Sequence, residues 1–224
     1  MARDELKKLA AREAMSYVRN GMRLGIGTGS TANAFIHLLA EACGAGLKVQ
    51  GVPTSEASAA LCTQLGVPLT TLEAAPELDL AIDGADEVDH QLRLIKGGGG
   101  ALLREKIVAQ AAKKCVIIVD EPKCVDKLGA FGVPVEINRF GMAATKRAIV
   151  ELARKSGLPP QASLRYAEEK IFVTDEGHYI LDCHFGLIDN IEGLSQSLLE
   201  IAGVVQHGLF LNIATEIIVA KETG

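Results

Sequence analysis

The 224-residue sequence has no Cys-x-x-Cys pair, no histidines at a familiar metal-ligand spacing, no lysine or arginine run, and no long uninterrupted apolar stretch. Each absence narrows what the chain does. The five cysteines (Cys43, Cys62, Cys115, Cys124 and Cys183) are odd in number and fall mostly in apolar segments, so reduced, buried thiols are expected. The histidines (His37, His90, His178, His184 and His207) are scattered, and no structural metal is inferred. With 23 Lys and Arg against 28 Asp and Glu the net charge is −5, and no basic stripe is interleaved with aromatics, which argues against nucleic acid as a partner. Residues 1–8 are charged and lack the apolar h-region of a signal peptide, and no apolar run reaches the roughly 18 residues a membrane span requires. A cytoplasmic protein without membrane contact is expected. Internal repeats and low-complexity tails are also missing.

What is present is apolar and periodic. At 48% hydrophobic residues and 23.7 kDa the chain can bury a substantial core, in one large domain or two small ones. Leu6, Leu9, Ala10, Ala14, Tyr17 and Val18 recur at helical spacing over residues 3–19, ending at Asn20-Gly21. Strands are expected at 23–26, 47–52, 67–70, 78–83 and 115–120, with helices at about 31–43, 55–65 and 101–112 between them. This alternation predicts a doubly wound, mainly parallel α/β sheet.

From about Leu128 the texture changes. A strand at 133–137, a helix at 143–156, residues 164–167, a hairpin of 171–174 with 179–183, a helix at 191–201 and a strand at 204–206 suggest a small α+β unit of the split βαβ kind. Residues 208–210 and 216–220 read as closing strands returning to the first sheet. The expected division is therefore 1–127 completed by 208–224, and 128–207.

Three segments carry the chemistry. Gly25-Ile26-Gly27-Thr28-Gly29-Ser30-Thr31 joins a strand to a helix whose free N–H groups suit a phosphate. No Gly-Lys-Ser/Thr follows, Ser30 stands where the third glycine of a dinucleotide fingerprint belongs, and no acid ends the second strand. A small phosphomonoester is favoured, beside the alternative of a tight turn in which Ser30 or Thr31 only caps the helix. The second segment is Asp83-Gly84-Ala85-Asp86-Glu87. The third runs from Lys96 through Gly97, Gly98, Gly99 and Gly100 into a helix carrying Glu105. Carboxylates, an ammonium and glycine N–H groups around one small polar molecule supply base, acid and oxyanion site. No Ser/His/Asp or Cys/His arrangement is needed. An ordinary turn and a flexible linker are the bland alternatives, but the glycines lie between two apolar segments, where close backbone approach to a ligand is the better reading.

In this order and separation the three segments resemble the ribose-5-phosphate isomerases of the A type, and the resemblance extends over essentially the whole chain, including Asp120-Glu121-Pro122-Lys123 and Gly208-Leu209-Phe210. It implies interconversion of ribose 5-phosphate and ribulose 5-phosphate in the non-oxidative pentose phosphate pathway, without metal or organic cofactor. It also implies a Rossmann-like main domain, a smaller ferredoxin-like domain serving oligomerisation, and a homodimer or dimer of dimers. Glu105 matches the family's catalytic base. Thr28, Gly29, Ser30, Thr31, Asp83, Gly84, Ala85, Asp86, Lys96, Gly97, Gly98, Gly99 and Lys123 match its substrate-binding stretches.

The chemistry fits these residues. One carboxylate can move a proton between C2 and C1 through a cis-enediolate, and Glu105, about one turn into a helix, is the choice. Lys96 and the amides of residues 97–99 would meet charge on the substrate oxygens. Asp83 or Asp86 would open the furanose ring and shuttle protons between O1 and O2, with their division of labour open. Lys7 and Lys123 are candidate additional cations for the phosphate. A sugar-phosphate-responsive regulator should carry a basic helix-turn-helix, and a metal-dependent isomerase a His/Asp/Glu ligand set within the motifs. Neither is visible. A non-enzymatic binding module would leave the acids and Lys96 without a purpose.

Overall fold

The computed structural model describes residues 3–222. In chain order its elements are α1 (Arg3–Met15), β1 (Arg23–Ile26), α2 (Ser30–Gly44), β2 (Gln50–Pro53), α3 (Glu56–Leu65), β3 (Leu80–Asp83), β4 (Glu87–Val88), β5 (Leu94–Ile95), α4 (Leu102–Ala111) and β6 (Cys115–Asp120). After a single 3-10 turn (Glu121–Lys123) come β7 (Val133–Ile137), α5 (Met142–Lys155), β8 (Ala162–Leu164), β9 (Tyr166–Ala167), β10 (Lys170–Ile171), β11 (Tyr179–Cys183), α6 (Ile191–Leu199), β12 (Val204–His207), β13 (Leu209–Phe210) and β14 (Glu216–Ala220). The chain forms two compact units: one from residues up to 85, 104–124 and from 212 onward, the other from 86–103 and 125–211.

The first unit is built on a five-stranded, wholly parallel sheet in the order β14-β6-β3-β1-β2. A parallel sheet needs cover on both faces, and β6 accordingly reads Cys-Val-Ile-Ile-Val-Asp with every residue buried. Leu24 and Ile26 of β1 point into a core with Phe35, Ile36 and Leu39 of α2 and Ala10, Ala11 and Ala14 of α1. On the opposite face Val52, Leu78 and Val108 form a smaller cluster. Gly25 makes α4 fit there, since a Cβ at that position would lie 2.5 Å from Val108 Cγ1. Strand order reverses between β1 and β3, the switch point at which open α/β sheets bind ligands beyond their carboxyl ends.

The second unit contains a four-stranded antiparallel sheet in the order β12-β7-β11-β8, traced as β7-α5-β8-β11-α6-β12, which is the ferredoxin-like arrangement. Its core gathers Val133, Val135 and Ile137 with Ile149 of α5 and Leu194 and Leu198 of α6. A three-stranded sheet, β13-β5-β4, belongs to the same unit. Residues 86–103, assigned by the sequence to the first domain, pack here.

Three expected features came out differently. Residues 67–70 form only an isolated bridge, Gly51 to Leu69, because Pro68 offers a carbonyl but no N–H to the ladder. Residues 171–174 do not pair along 179–183: β10 pairs with β9, and β11 with β7 and β8. The intervening turn docks instead on Glu136, buried in β7, whose Oε1 contacts Thr174 Oγ1 and His178 Nδ1, each at 2.9 Å. Of the two closing strands only β14 returns to the first sheet. β13 pairs with β5, where Gly208 is pressed so close to the Lys96 carbonyl that a Cβ would fall 2.2 Å from it.

Candidate active site

In the first unit the carboxyl ends of β1 and β3 lie side by side. After Ile26 the chain turns through Gly27 and Thr28 to Gly29 (φ 109°), which begins α2 without any side-chain cap. The first N–H groups of α2 therefore point out of the helix end, carrying its positive dipole. Thr31 Oγ1, buried one residue into the helix, has no hydrogen-bond partner. Ser30 and Gly29 are exposed. This arrangement matches a small anion.

Asp83, the last residue of β3, braces that loop. Its Oδ1 accepts the N–H groups of Thr28 (3.2 Å) and Gly84 (2.7 Å), and Gly27 must be glycine because a Cβ there would sit 2.1 Å from the same oxygen. The Thr28 hydroxyl lies 2.7 Å from Thr54 Oγ1, 2.8 Å from Ser55 Oγ and 3.1 Å from Ser58 Oγ. Ser58 Oγ in turn donates to the Gly27 carbonyl at 2.8 Å. Thr28 thus holds the loop's shape, and the sequence reading missed Thr54, Ser55 and Ser58. In the structure Ser55 also caps α3, accepting the Ser58 N–H at 3.0 Å.

Glu105 lies in the first turn of α4, buried, with buried Lys106 beside it. Burial pushes the Lys106 ammonium down to about 7. Lys123, on the 3-10 turn after β6, sits 3.8 Å from the buried Asp120 carboxylate, and Lys7 lies 3.3 Å from Asp4. Both cations expected near phosphate therefore have carboxylates of their own.

The chain enters the second unit between Ala85 and Asp86. There Asp86 does for a second glycine loop what Asp83 does for the first: its Oδ2 accepts the Gly98 N–H at 2.8 Å. Residues 97–100 form a turn closed by Gly100 N–H to Gly97 O at 3.0 Å, with positive φ at Gly97 (98°) and Gly100 (84°). All of residues 97–99 were expected to offer amides to a ligand, but the Gly98 N–H is committed to Asp86. Lys96 is buried, its backbone N–H bound to Gly208 O at 2.9 Å and its ammonium 5.5 Å from the Phe210 ring centroid. Glu87, the remaining acid of that motif, accepts the N–H groups of Gly129 (2.7 Å) and Phe131 (2.6 Å), which is a structural role.

The structure thus brings together Thr28, Ser30, Thr31, Asp83 and Gly84 in one unit, and Asp86 with residues 96–99 in the other. Among the described residues no group of three or more His, Cys, Asp or Glu is placed to hold a metal ion, and no helix is long and apolar enough to cross a membrane.

Residues 50–224 match the family model for ribose 5-phosphate isomerase A (phosphoriboisomerase A). The chain is 57% identical over 220 residues to the ribose-5-phosphate isomerase A of Agrobacterium fabrum, covering 98% of this chain and 95% of that protein. It superposes on the Plasmodium falciparum ribose 5-phosphate isomerase with a TM-score of 0.94 at 36% identity, covering 99% of this chain and 96% of that one. A D-ribose-5-phosphate isomerase solved in complex with phospho-erythronic acid gives a TM-score of 0.93 at 37% identity, over 100% and 97% of the two chains.

Proposed function

The chain belongs to the ribose 5-phosphate isomerase A family and interconverts D-ribose 5-phosphate and D-ribulose 5-phosphate, and on that premise we propose that Glu105, Asp83, Asp86 and Lys96 carry the reaction. The reaction moves hydrogen between C2 and C1. On the open-chain aldehyde a base removes the C2 proton, the electron pair passes to O1, and O1 takes up a proton. Returning a proton to C1 while O2 releases its own gives the ketose. One carboxylate that reaches both carbons serves both transfers, and Glu105 has that role. Asp83 and Asp86 assist ring opening and exchange protons with O1 and O2. The Lys96 ammonium and the amides of Gly97 and Gly99 stabilise the charge on the enediolate oxygens.

The observation that carries this reading is burial. Asp83, Lys96 and Glu105 are only 4%, 3% and 4% exposed. Removing such groups from water costs several kcal/mol each even when they are paired. Glu87 and Glu136 are as buried and hold loops, whereas Glu105 and the Lys96 ammonium stand at the motif positions where the isomerisation needs a base and a cation. The phosphate is taken by Gly29, Ser30 and Thr31 at the start of α2, supported by the buried, unpartnered Thr31 hydroxyl. Thr28 and Gly84 shape the loop through their bonds to Asp83, and Lys123, paired with Asp120, is a hydrogen-bond donor rather than a source of net charge. A direct assay of ribulose 5-phosphate formation by the wild type and Glu105→Gln tests the assignment: turnover must be present in the first and largely lost in the second.

We also read the protein as a cytoplasmic homodimer or dimer of dimers that joins through the second unit. Burial of Cys62, Cys115 and Cys183, which suits reduced thiols, supports a reducing compartment. Phe140, an aromatic side chain left 92% exposed on that unit, supports self-association through it. Light scattering of the purified chain tests the assembly: a monomer would refute it.

A further inference from the structure

The glycine turn after Lys96 is held by a side chain far away in sequence. Arg165, between β8 and β9, donates from Nη1 to Gly97 O (2.8 Å) and to Gly98 O (3.2 Å). Its other face is fixed by Asp182 of β11: Nε donates to Oδ2 at 2.9 Å and Nη2 to Oδ1, a two-pronged pairing that leaves the guanidinium no rotational freedom. Phe172 completes the brace. Its N–H donates to Arg165 O at 2.9 Å, its ring lies 6.0 Å from the guanidinium, and its Cζ comes within 2.3 Å of where a Gly100 Cβ would be.

These contacts determine where the amides of the turn point. A trans peptide holds its C=O and N–H antiparallel, and no peptide among the described residues is cis. The Gly97–Gly98 peptide is gripped at both ends, its carbonyl by Arg165 and its N–H by Asp86. In the next peptide Arg165 holds only the Gly98 carbonyl, which turns the Gly99 N–H the opposite way, away from the guanidinium, at an exposed residue. Four consecutive glycines would otherwise sample many orientations, and a mobile amide is a poor oxyanion donor because it must be ordered at the moment of reaction.

We infer that Arg165 is a positioning residue for isomerisation: held by Asp182, it fixes the Lys96 turn so that the Gly99 N–H and the Lys96 ammonium are aimed at the enediolate oxygens. This rests on the reading of that turn as part of the catalytic site, so the test includes Lys96→Gln.

Arg165→Gln should lower kcat roughly ten- to a hundredfold, as expected when an oxyanion donor loses its orientation, while KM for ribose 5-phosphate changes less than about threefold. The dissociation constant of phospho-erythronic acid, whose carboxylate places negative charge at the end away from the phosphate, should rise by the same factor as kcat falls. Inhibition by inorganic phosphate should stay unchanged, and thermal melting should report a folded protein. Asp182→Asn should give the same pattern more weakly, and the double variant should be no worse than Arg165→Gln alone, because the two act as one device. If Arg165→Gln fails to fold, Asp182→Asn decides by the same criteria. The inference is overturned if the folded variant keeps kcat within about threefold, or if phosphate inhibition weakens as much as phospho-erythronic acid binding, while Lys96→Gln abolishes turnover. If Lys96→Gln itself turns over normally, the turn is not catalytic, and that reading falls together with the inference.

Discussion

The two glycine loops solve the same problem with opposite means. The loop after β1 is held by neighbours in its own sheet: backbone bonds, the Asp83 carboxylate and hydroxyls contributed by the next strand–helix junction. The loop after β5 is held by a charged fork from 67 and 68 residues further along the chain, itself anchored on β11. The aspartates of Asp83-Gly84-Ala85-Asp86 divide between them, Asp83 accepting from the first loop and Asp86 from the second. The difference follows from what each loop must do. A loop that opens a long helix inherits rigidity and a dipole from that helix. The four-glycine turn also leads into a helix, but α4 begins only at Leu102, beyond the glycines, and the turn itself is fixed by an external clamp.

The largest expected effect tests whether either loop substitutes for the base. Glu105→Gln should lower kcat by at least about a hundredfold with little change in KM, measured by steady-state isomerisation. Near-normal turnover would move the base to Asp83 or Asp86 and turn the comparison into one of two catalytic carboxylates.

Stability sharpens the contrast between the loops. At Gly100 positive φ (84°) coincides with the Phe172 ring, whereas at Gly29 positive φ (109°) faces open space. Gly100→Ala should therefore destabilise by about 3 kcal/mol or more, and Gly29→Ala by only about 1–2 kcal/mol, read from denaturant midpoints. Equal losses would mean that the clamp does not press on the turn.

A third measurement separates phosphate capture from chemistry. Ser30→Ala with Thr31→Val should raise KM for ribose 5-phosphate roughly tenfold and change kcat less, while any slow turnover of unphosphorylated ribose stays as it was. A matching loss with ribose would point to damaged catalytic geometry instead.

A further stability signature is the pH dependence contributed by Lys106. Its folded-state value of about 7 lies below that of the unfolded chain, near 10.4, so between those values the unfolded state binds more protons. This contribution makes stability rise with pH across that window and penalises the fold most fully below it. Lys106→Met should flatten the slope, visible as a larger gain in melting temperature at pH 6.5 than at pH 10. Exhaustive chelation should have the smallest effect, leaving turnover intact. Loss of activity rescued by a divalent ion would overturn the assignment of the enediolate charge to Lys96 and backbone amides.

Legibility followed the range of the interactions. The parallel unit was readable because strands such as Cys115–Asp120 and their helices announce themselves by local apolar pattern, and the loop after β1 by its glycines at a strand–helix junction. Residues 67–70 misled because β-branched composition concealed the missing donor of Pro68, and the hairpin at 171–183 misled because its turn is attracted to Glu136 in another strand.

Sequence by itself determined the family, the reaction, the α/β class and the residues in the three motifs, since these depend on residue types and short spacings. Only the tertiary structure decided that Asp83 and Asp86 hold different loops, that the Gly98 amide is already committed, and that Thr54, Ser55, Ser58, Arg165 and Asp182 belong to the loops' support. Each of these facts is a hydrogen bond whose direction depends on where separate strands place their side chains. No local pattern in the chain encodes that placement.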